Sequence, residues 1–327
     1  MNIYSEDKNV IIEGAKDFDI EDILECGQCF HFTRLDDKDY ELMAYGKYLH
    51  IRQLEEEADK KNKQTKGKTK EDTAKKDAAK KDTGFVDERN SSRIILYDTS
   101  LEDYNDIWSR YFDMEVDYSD IKNKVLTSDD RLKEAVMAKA GIRILKQDFF
   151  ETLISFIISQ NKQIPHIKQI VHTISERYGD KILLSDERAV YTFPSVERLY
   201  EVTEDELREC KVGFRAPYIR DAVCKVYNGE ISEEKLKGMS FNDAREALMT
   251  IKGVGEKVAN CVLLYGLSFT NAFPVDVWMK RIMEYMYFGE DTKKEIIESF
   301  AYEKYGEYAG YAQQYLFYYG REKGLGK

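Results

Sequence analysis

Cysteine is sparse and odd in number. Cys26, Cys29, Cys210, Cys224 and Cys261 are the whole set in 327 residues. A scattered odd set gives no disulfide framework and fits a reducing compartment. No cysteine follows Cys261, so a C-terminal iron–sulfur cluster has no ligands. Histidine is scarcer still, at four residues. Cys26-Gly27-Gln28-Cys29 has C-x-x-C spacing, but no second pair follows it, and a zinc site would need two more ligands. The spacing is read as small buried residues on a turn. No apolar run nears the ~18 residues of a membrane span, and the charged N-terminus has no signal core. The expected location is the cytoplasm.

A basic excess is also missing. Lys and Arg number 50 against 61 Asp and Glu, a formal net charge of −11. Phosphate binding usually calls for a basic surface, so the balance argues mildly against a nucleic-acid partner. It does not exclude one, because backbone N–H groups can hold phosphate without Lys or Arg. What the chain does have is 43% apolar residues, enough for real cores, and a length that suits about two domains.

Asn9 to Ile12, Tyr40 to Tyr45 and Lys47 to Arg52 read as strands, and Asp19 to Leu24 as a short helix ending at Gly27. Composition then breaks. From about Glu55 to Lys81 the chain is nearly all Lys, Glu, Asp, Ala, Thr, Gln and Asn, without an aromatic residue. Such a segment has little to bury and is expected to be a disordered insertion, about 55–90. Its charges are mixed, which favours a solvated loop over a basic tether. Arg93 to Tyr97 resumes the sheet. From about Tyr118 onward the spacing is helical, with Gly, Pro or Asn between segments. The expected class is α+β: an N-terminal antiparallel sheet domain over 1–118, then an all-helical domain over 119–327.

The informative stretch runs from Leu248 to Cys261. Ser240 caps a helix that ends at Gly253-Val254-Gly255, and a second helix starts at once. Val254 is expected to tuck inward, and Ala259 is small enough for close helix–helix approach. This helix–hairpin–helix suits DNA. The second helix offers unpaired N–H groups and a positive dipole end, and glycines let a phosphate approach the backbone. An ordinary αα-turn would look similar. Lys257 sits in the first turn of that helix, where the dipole disfavours an ammonium and favours the free amine a nucleophile needs. Asn271-Ala-Phe-Pro-Val-Asp276-Val-Trp278 then places Asp276 at or near a helix N-cap, where a carboxylate is stable as an anion. Capping alone is the usual job of such an Asp, but the two charges support each other.

Gly-Val-Gly-x-Lys followed by Pro-Val-Asp resembles the helix–hairpin–helix base-excision superfamily, and the Lys resembles its bifunctional glycosylase and β-lyase branch. Further stretches resemble the eukaryotic-type 8-oxoguanine DNA glycosylases: Cys26 to Phe30, Gly141 to Asp148, Ser155 to Asn161, Val212 to Tyr218, and Tyr308 to Phe317. They are collinear and span nearly the whole chain outside the insertion. The resemblance implies a TATA-binding-protein-like sheet domain. It implies that Lys257 attacks C1′ of a flipped nucleotide while Asp276 stabilises the developing sugar cation. It implies that Gly27 accepts from the N7–H of the oxidised base, that Gln313 bonds its Watson–Crick edge, and that Phe317 and Cys261 sandwich it. Asn161, Arg215 and Phe214 would face the opposite strand, with Phe214 as the wedge. The amides of Gly253, Gly255 and Val258 would bind phosphate. The implied partner is double-stranded DNA containing oxidised guanine, met by a monomer in the nucleoid. No cofactor is implied, beyond room for a structural monovalent or calcium ion at the hairpin.

Three departures stand out. His166 takes the place of an Arg that reads the opposite cytosine; neutral His donates once, where Arg offers a fork. Trp278 replaces a phosphate-contacting His, keeping one indole donor. Tyr318-Tyr319-Gly320 lacks the family's Asp, which leaves one pocket wall open. Two other readings stay in play: a glycosylase of the same superfamily for another damaged purine, and a non-catalytic DNA-binding module.

Overall fold

The computed structural model describes residues 1–55 and 92–325. Six antiparallel strands form the N-terminal sheet: β1 (Asn2–Glu6), β2 (Asn9–Ala15), β3 (Phe32–Asp36), β4 (Asp39–Ala44), β5 (Lys47–Glu55) and β6 (Ser92–Tyr97), in the order β1-β2-β6-β5-β4-β3. Alternation sets the faces. Leu49 and Ile51 of β5 and Ile94 and Leu96 of β6 point into the core, with Ile51 opposite Leu96, while His50 stacks on Tyr97 at 4.3 Å on the other face. Strands β1 and β3 lie at the sheet edges and bury almost nothing beyond Phe32, so apolar periodicity does not announce them. The insertion expected over about 55–90 lies outside the described residues, apart from Glu55, which ends β5.

A buried Gln53 on β5 fixes the next turn. Its Nε2 donates to Phe18 O and its Oε1 accepts from Ile20 N, both at 2.8 Å. Helix Ile20–Glu25 starts there, capped by Asp19. The chain that follows it, Cys26 to Phe30, leaves the sheet core: Cys26 and Phe30 pack into the core of the helical domain. Gln28, fully buried, ties this loop down by donating to Ile23 O and Arg143 O and accepting from Leu145 N. Arg143 in turn donates to Asp17 O and Asp113 O, at 2.8 and 2.6 Å. The two cores are thus joined through buried, satisfied polar groups.

In the helical domain, Phe149–Ser159 packs against Glu256–Leu267. Gly266 sits at this contact, where a Cβ would lie 3.3 Å from Thr152 Cβ and 3.4 Å from Phe149 Cα, a tight fit. The all-helical expectation needs correction. Strands β7 (Lys181–Leu183) and β8 (Ala189–Tyr191) form a small hairpin. Three residues per strand and almost no burial leave no period to read. The hairpin is held from outside: Arg188 in its turn forks onto Glu41 of β4, at 2.6 and 3.2 Å. A further short helix, Glu233–Lys237 capped by Ser232, was also absent from the sequence reading. Among the described residues no helix is long and apolar enough to cross a membrane.

Candidate active site

Helix Phe241–Met249 begins at Ser240, whose Oγ accepts from Asp243 N. The turn after it is tight: Val254 N donates to Ile251 O at 3.0 Å, Val254 is buried, and Gly253 has φ +76°. The turn is also braced. Lys252 N donates to Asp221 Oδ2 at 2.7 Å, and a Cβ on Gly253 would lie 2.3 Å from the Tyr218 ring. Tyr218 meets Phe214 edge-on at 6.0 Å, so the hairpin is coupled to the exposed Phe214. Gly253→Ala therefore combines a left-handed backbone with overpacking, and should cost about 2–4 kcal/mol of stability in a denaturant titration. Gly255→Ala is the contrast, because no atom lies within 4 Å of its missing Cβ and its φ is not positive. It should fold nearly as well yet place a methyl where an anion approaches.

Gly255 caps helix Glu256–Leu267 without a side-chain hydrogen bond, so the first-turn N–H groups keep no side-chain acceptor. Lys257 follows. Its Nζ lies 3.4 Å from Ser159 Oγ and 5.0 Å from the centre of the Phe156 ring. One turn on, Cys261 is buried, which pushes its thiol up to about 11; the Lys257 charge works against that and the Asp276 charge with it. Asp276 caps helix Val277–Met283, accepting from Met279 N at 2.7 Å. Lys257 and Asp276 line one cleft of about 920 Å³, with Ser159, Asn161, His166, Gly255 and Trp278.

Gly27 has φ +87°, and a Cβ on it would sit 3.5–3.7 Å from Ile164, Arg321 and Phe317. Gln313 is 4% exposed, and its Nε2 faces Met279 Sδ at 4.0 Å. Its Oε1 is buried without a hydrogen-bond partner. A buried acceptor left unmade costs about 1–3 kcal/mol, so this atom points to a ligand. Phe317 is half-buried one turn further along the same helix, Ala309–Lys323. At the opposite rim Phe214 is 56% exposed, and Asn161 and His166 are also exposed.

Residues 10–153 match the family described as the 8-oxoguanine DNA glycosylase N-terminal domain. Residues 154–305 match the HhH-GPD superfamily of base-excision DNA repair proteins. A probable N-glycosylase/DNA lyase of Methanothermobacter thermautotrophicus is 36% identical over 234 residues, covering 65% of this chain and 74% of the relative. The N-glycosylase/DNA lyase of Saccharomyces cerevisiae is 32% identical, covering 64% of each. The Clostridium acetobutylicum 8-oxoguanine glycosylase/lyase, solved with double-stranded DNA carrying cytosine opposite 8-oxoguanine, superposes with a TM-score of 0.84 at 36% identity over 99% of both chains.

The chain belongs to the 8-oxoguanine DNA glycosylase family. In this glycosylase Lys257, Asp276, Asn161, His166, Gly255, Val258 and Trp278 line one cleft, and Gly27 lies against Phe317. Arg215 is a correction. Instead of facing outward it is 2% exposed, with its guanidinium donating to Gln160 O, Val212 O and Asn161 O and stacked 4.3 Å from the Phe214 ring. It holds Phe214 and the Asn161 loop in register and offers no free fork.

Three site residues of this glycosylase were missed. Phe156 and Ser159 looked like one apolar helix, yet their end of that helix faces Lys257. Arg321 supplies the wall that Tyr318-Tyr319-Gly320 left open. It donates to Glu25 O at 2.7 Å and lies 5.7 Å over Phe317. Its spacing of four from Phe317 on one helix was the available signal.

Proposed function

We propose that the chain excises 8-oxoguanine from duplex DNA and then cuts the strand at the emptied sugar, using Lys257 as nucleophile and Asp276 as its carboxylate partner. The observation that carries this reading is that Lys257 and Asp276 line one cleft, in a protein whose buried Gln313 Oε1 is left without a partner. The lesion would be flipped out of the stack. The base would lie between Phe317 and Cys261, with Gln313 on its Watson–Crick edge and its N7–H donating to the Gly27 carbonyl. Guanine lacks that proton, leaving two acceptors face to face, a loss of about 1–3 kcal/mol.

The Lys257 amine would attack C1′ as the glycosidic bond breaks. The bonding pair leaves with the base, which takes up a proton, and Asp276 stabilises positive charge on the sugar. Loss of the amine proton and ring opening give the imine. Removal of a C2′ proton then expels the 3′ phosphate. The chain's work would be done with chromosomal DNA in the cytoplasm.

Borohydride trapping on duplexes carrying different lesions tests the reading. A covalent adduct on 8-oxoguanine is expected. An adduct formed only on another damaged purine moves the substrate; none on any lesion removes the amine mechanism. His166 adds a second measurement. With one donor in place of a fork, excision opposite cytosine, adenine, guanine and thymine should agree within roughly tenfold, about 1.4 kcal/mol. A cytosine preference above roughly 100-fold would show that another residue reads that base.

A further inference from the structure

A second cavity of about 570 Å³ lies against the hairpin helices. It is walled by the two hairpin helices and by helix Lys294–Tyr305. Its lining carries the carboxylates of Glu256, Glu295, Glu298 and Glu303 against one cation, Arg245. Arg245 is already committed: it pairs with Glu298 Oε2 at 3.3 Å and lies 5.5 Å over the Phe241 ring. Four carboxylates face that one guanidinium, and burial, then the neighbouring Glu256, push the Glu298 carboxyl up to about 7.

Asn260 lies deepest among the polar lining residues. It is 1% exposed and donates Nδ2–H to Glu298 Oε1 at 3.2 Å, while its Oδ1 has no hydrogen-bond partner. The unfilled group is thus an acceptor, set in a lining with four carboxylates and one guanidinium. A ligand suited to that setting brings a donor and a positive charge. Among the described residues no group of three or more His, Cys, Asp or Glu could hold a metal ion, and the volume far exceeds one ion. The aromatic lining, Phe241 and Phe273, with Tyr302 58% exposed at the rim, suits an organic body.

We infer that this cavity binds an organic cation of the guanidinium or alkylammonium class, its head donating to Asn260 Oδ1 and the Glu298 carboxylate and its apolar part lying on Phe241 and Phe273. The same head group occurs on small diamines and guanidines and on Lys or Arg side chains of other proteins. Base excision as proposed above does not use it. Glu256 and Glu298 also line the catalytic cleft, so an occupant would sit one residue from Lys257 along the helix.

The test is calorimetric titration of the full chain with agmatine, and in a second arm with a capped arginine tripeptide, both at constant ionic strength. Saturable binding at one site per chain is expected. Glu298→Gln keeps the shape and removes the charge, and should weaken binding at least roughly tenfold. Tyr302→Ala, at an exposed rim position where folding is not at stake, should weaken it about threefold. Tighter agmatine binding assigns a free small molecule; tighter peptide binding assigns a protein side chain. Heats that match a sodium chloride titration, or unchanged affinity in both variants, overturn the inference.

Discussion

Lys257→Gln should abolish borohydride trapping on an 8-oxoguanine duplex while leaving lesion binding within about threefold of the native chain. The argument starts from what Lys257 touches. Its Nζ contacts Ser159 Oγ at 3.4 Å, hydrogen-bonds the Cys261 thiol and lies over Phe156, without a carboxylate partner at salt-bridge distance among the described residues. No buried network depends on its charge, so glutamine should fold unchanged. What the variant loses is the amine. Glutamine's amide nitrogen is not nucleophilic and cannot form an imine, so the covalent route closes. A drop of at least about 10⁴ in strand cleavage corresponds to roughly 5.5 kcal/mol of transition-state stabilisation. Wild-type binding with no turnover is the signature of an interaction made only in the transition state. A trapped adduct in the variant would assign the nucleophile to another amine.

The proposed nucleophile and its partner were legible for opposite reasons: Lys257 because a first-turn cation breaks a local preference, Asp276 because a carboxylate at a helix start satisfies one. A cation in a helix's first turn and a Pro-Val-Asp turn can both be read one residue at a time, and both fall at helix starts in the structure. The central strands and long helices were legible from pattern: Leu49, Ile51, Ile94 and Leu96 alternate, and Phe149 to Ser159 is apolar at seven of eleven positions. What stayed hidden depends on long-range contact. Strands β1 and β3 exist because neighbours pair with them, not because they bury a face. The β7–β8 hairpin is held by Arg188 on Glu41, a contact 147 residues apart in sequence. Arg215 follows the same logic. Its motif suggested an outward cation, but the carbonyls of Gln160 and Asn161, which only the fold brings near, capture it. Arg321 and Gln313 show the converse: their spacing on one helix was visible, while the empty acceptor on Gln313 appeared only once Met279 was in place beside it.

Asp276→Asn should separate capping from catalysis. Asp276 does two jobs in one place: it caps helix Val277–Met283 through Met279 N at 2.7 Å, and it puts a negative charge into the cleft with Lys257. Asparagine is about as good an N-cap as aspartate, and its Oδ1 can take the same bond, so stability should change by less than about 1 kcal/mol. The charge is gone, however. An oxocarbenium-like sugar forming beside a neutral amide loses an electrostatic contribution of the size measured for single oxyanion-hole donors, about 2.7–4 kcal/mol, or roughly 10²–10³ in the excision rate. Lesion binding should hold or tighten, because removing a negative charge from a cleft that receives a polyanion relieves repulsion. Asp276→Ala supplies the complementary loss: it removes charge and cap together and should add about 1 kcal/mol of destabilisation to the same rate defect. The decisive comparison is single-turnover excision against chemical denaturation for both variants. If Asp276→Asn keeps the native rate, the carboxylate is a cap alone. If its rate falls only in step with stability, the charge acts on the fold and not on the sugar.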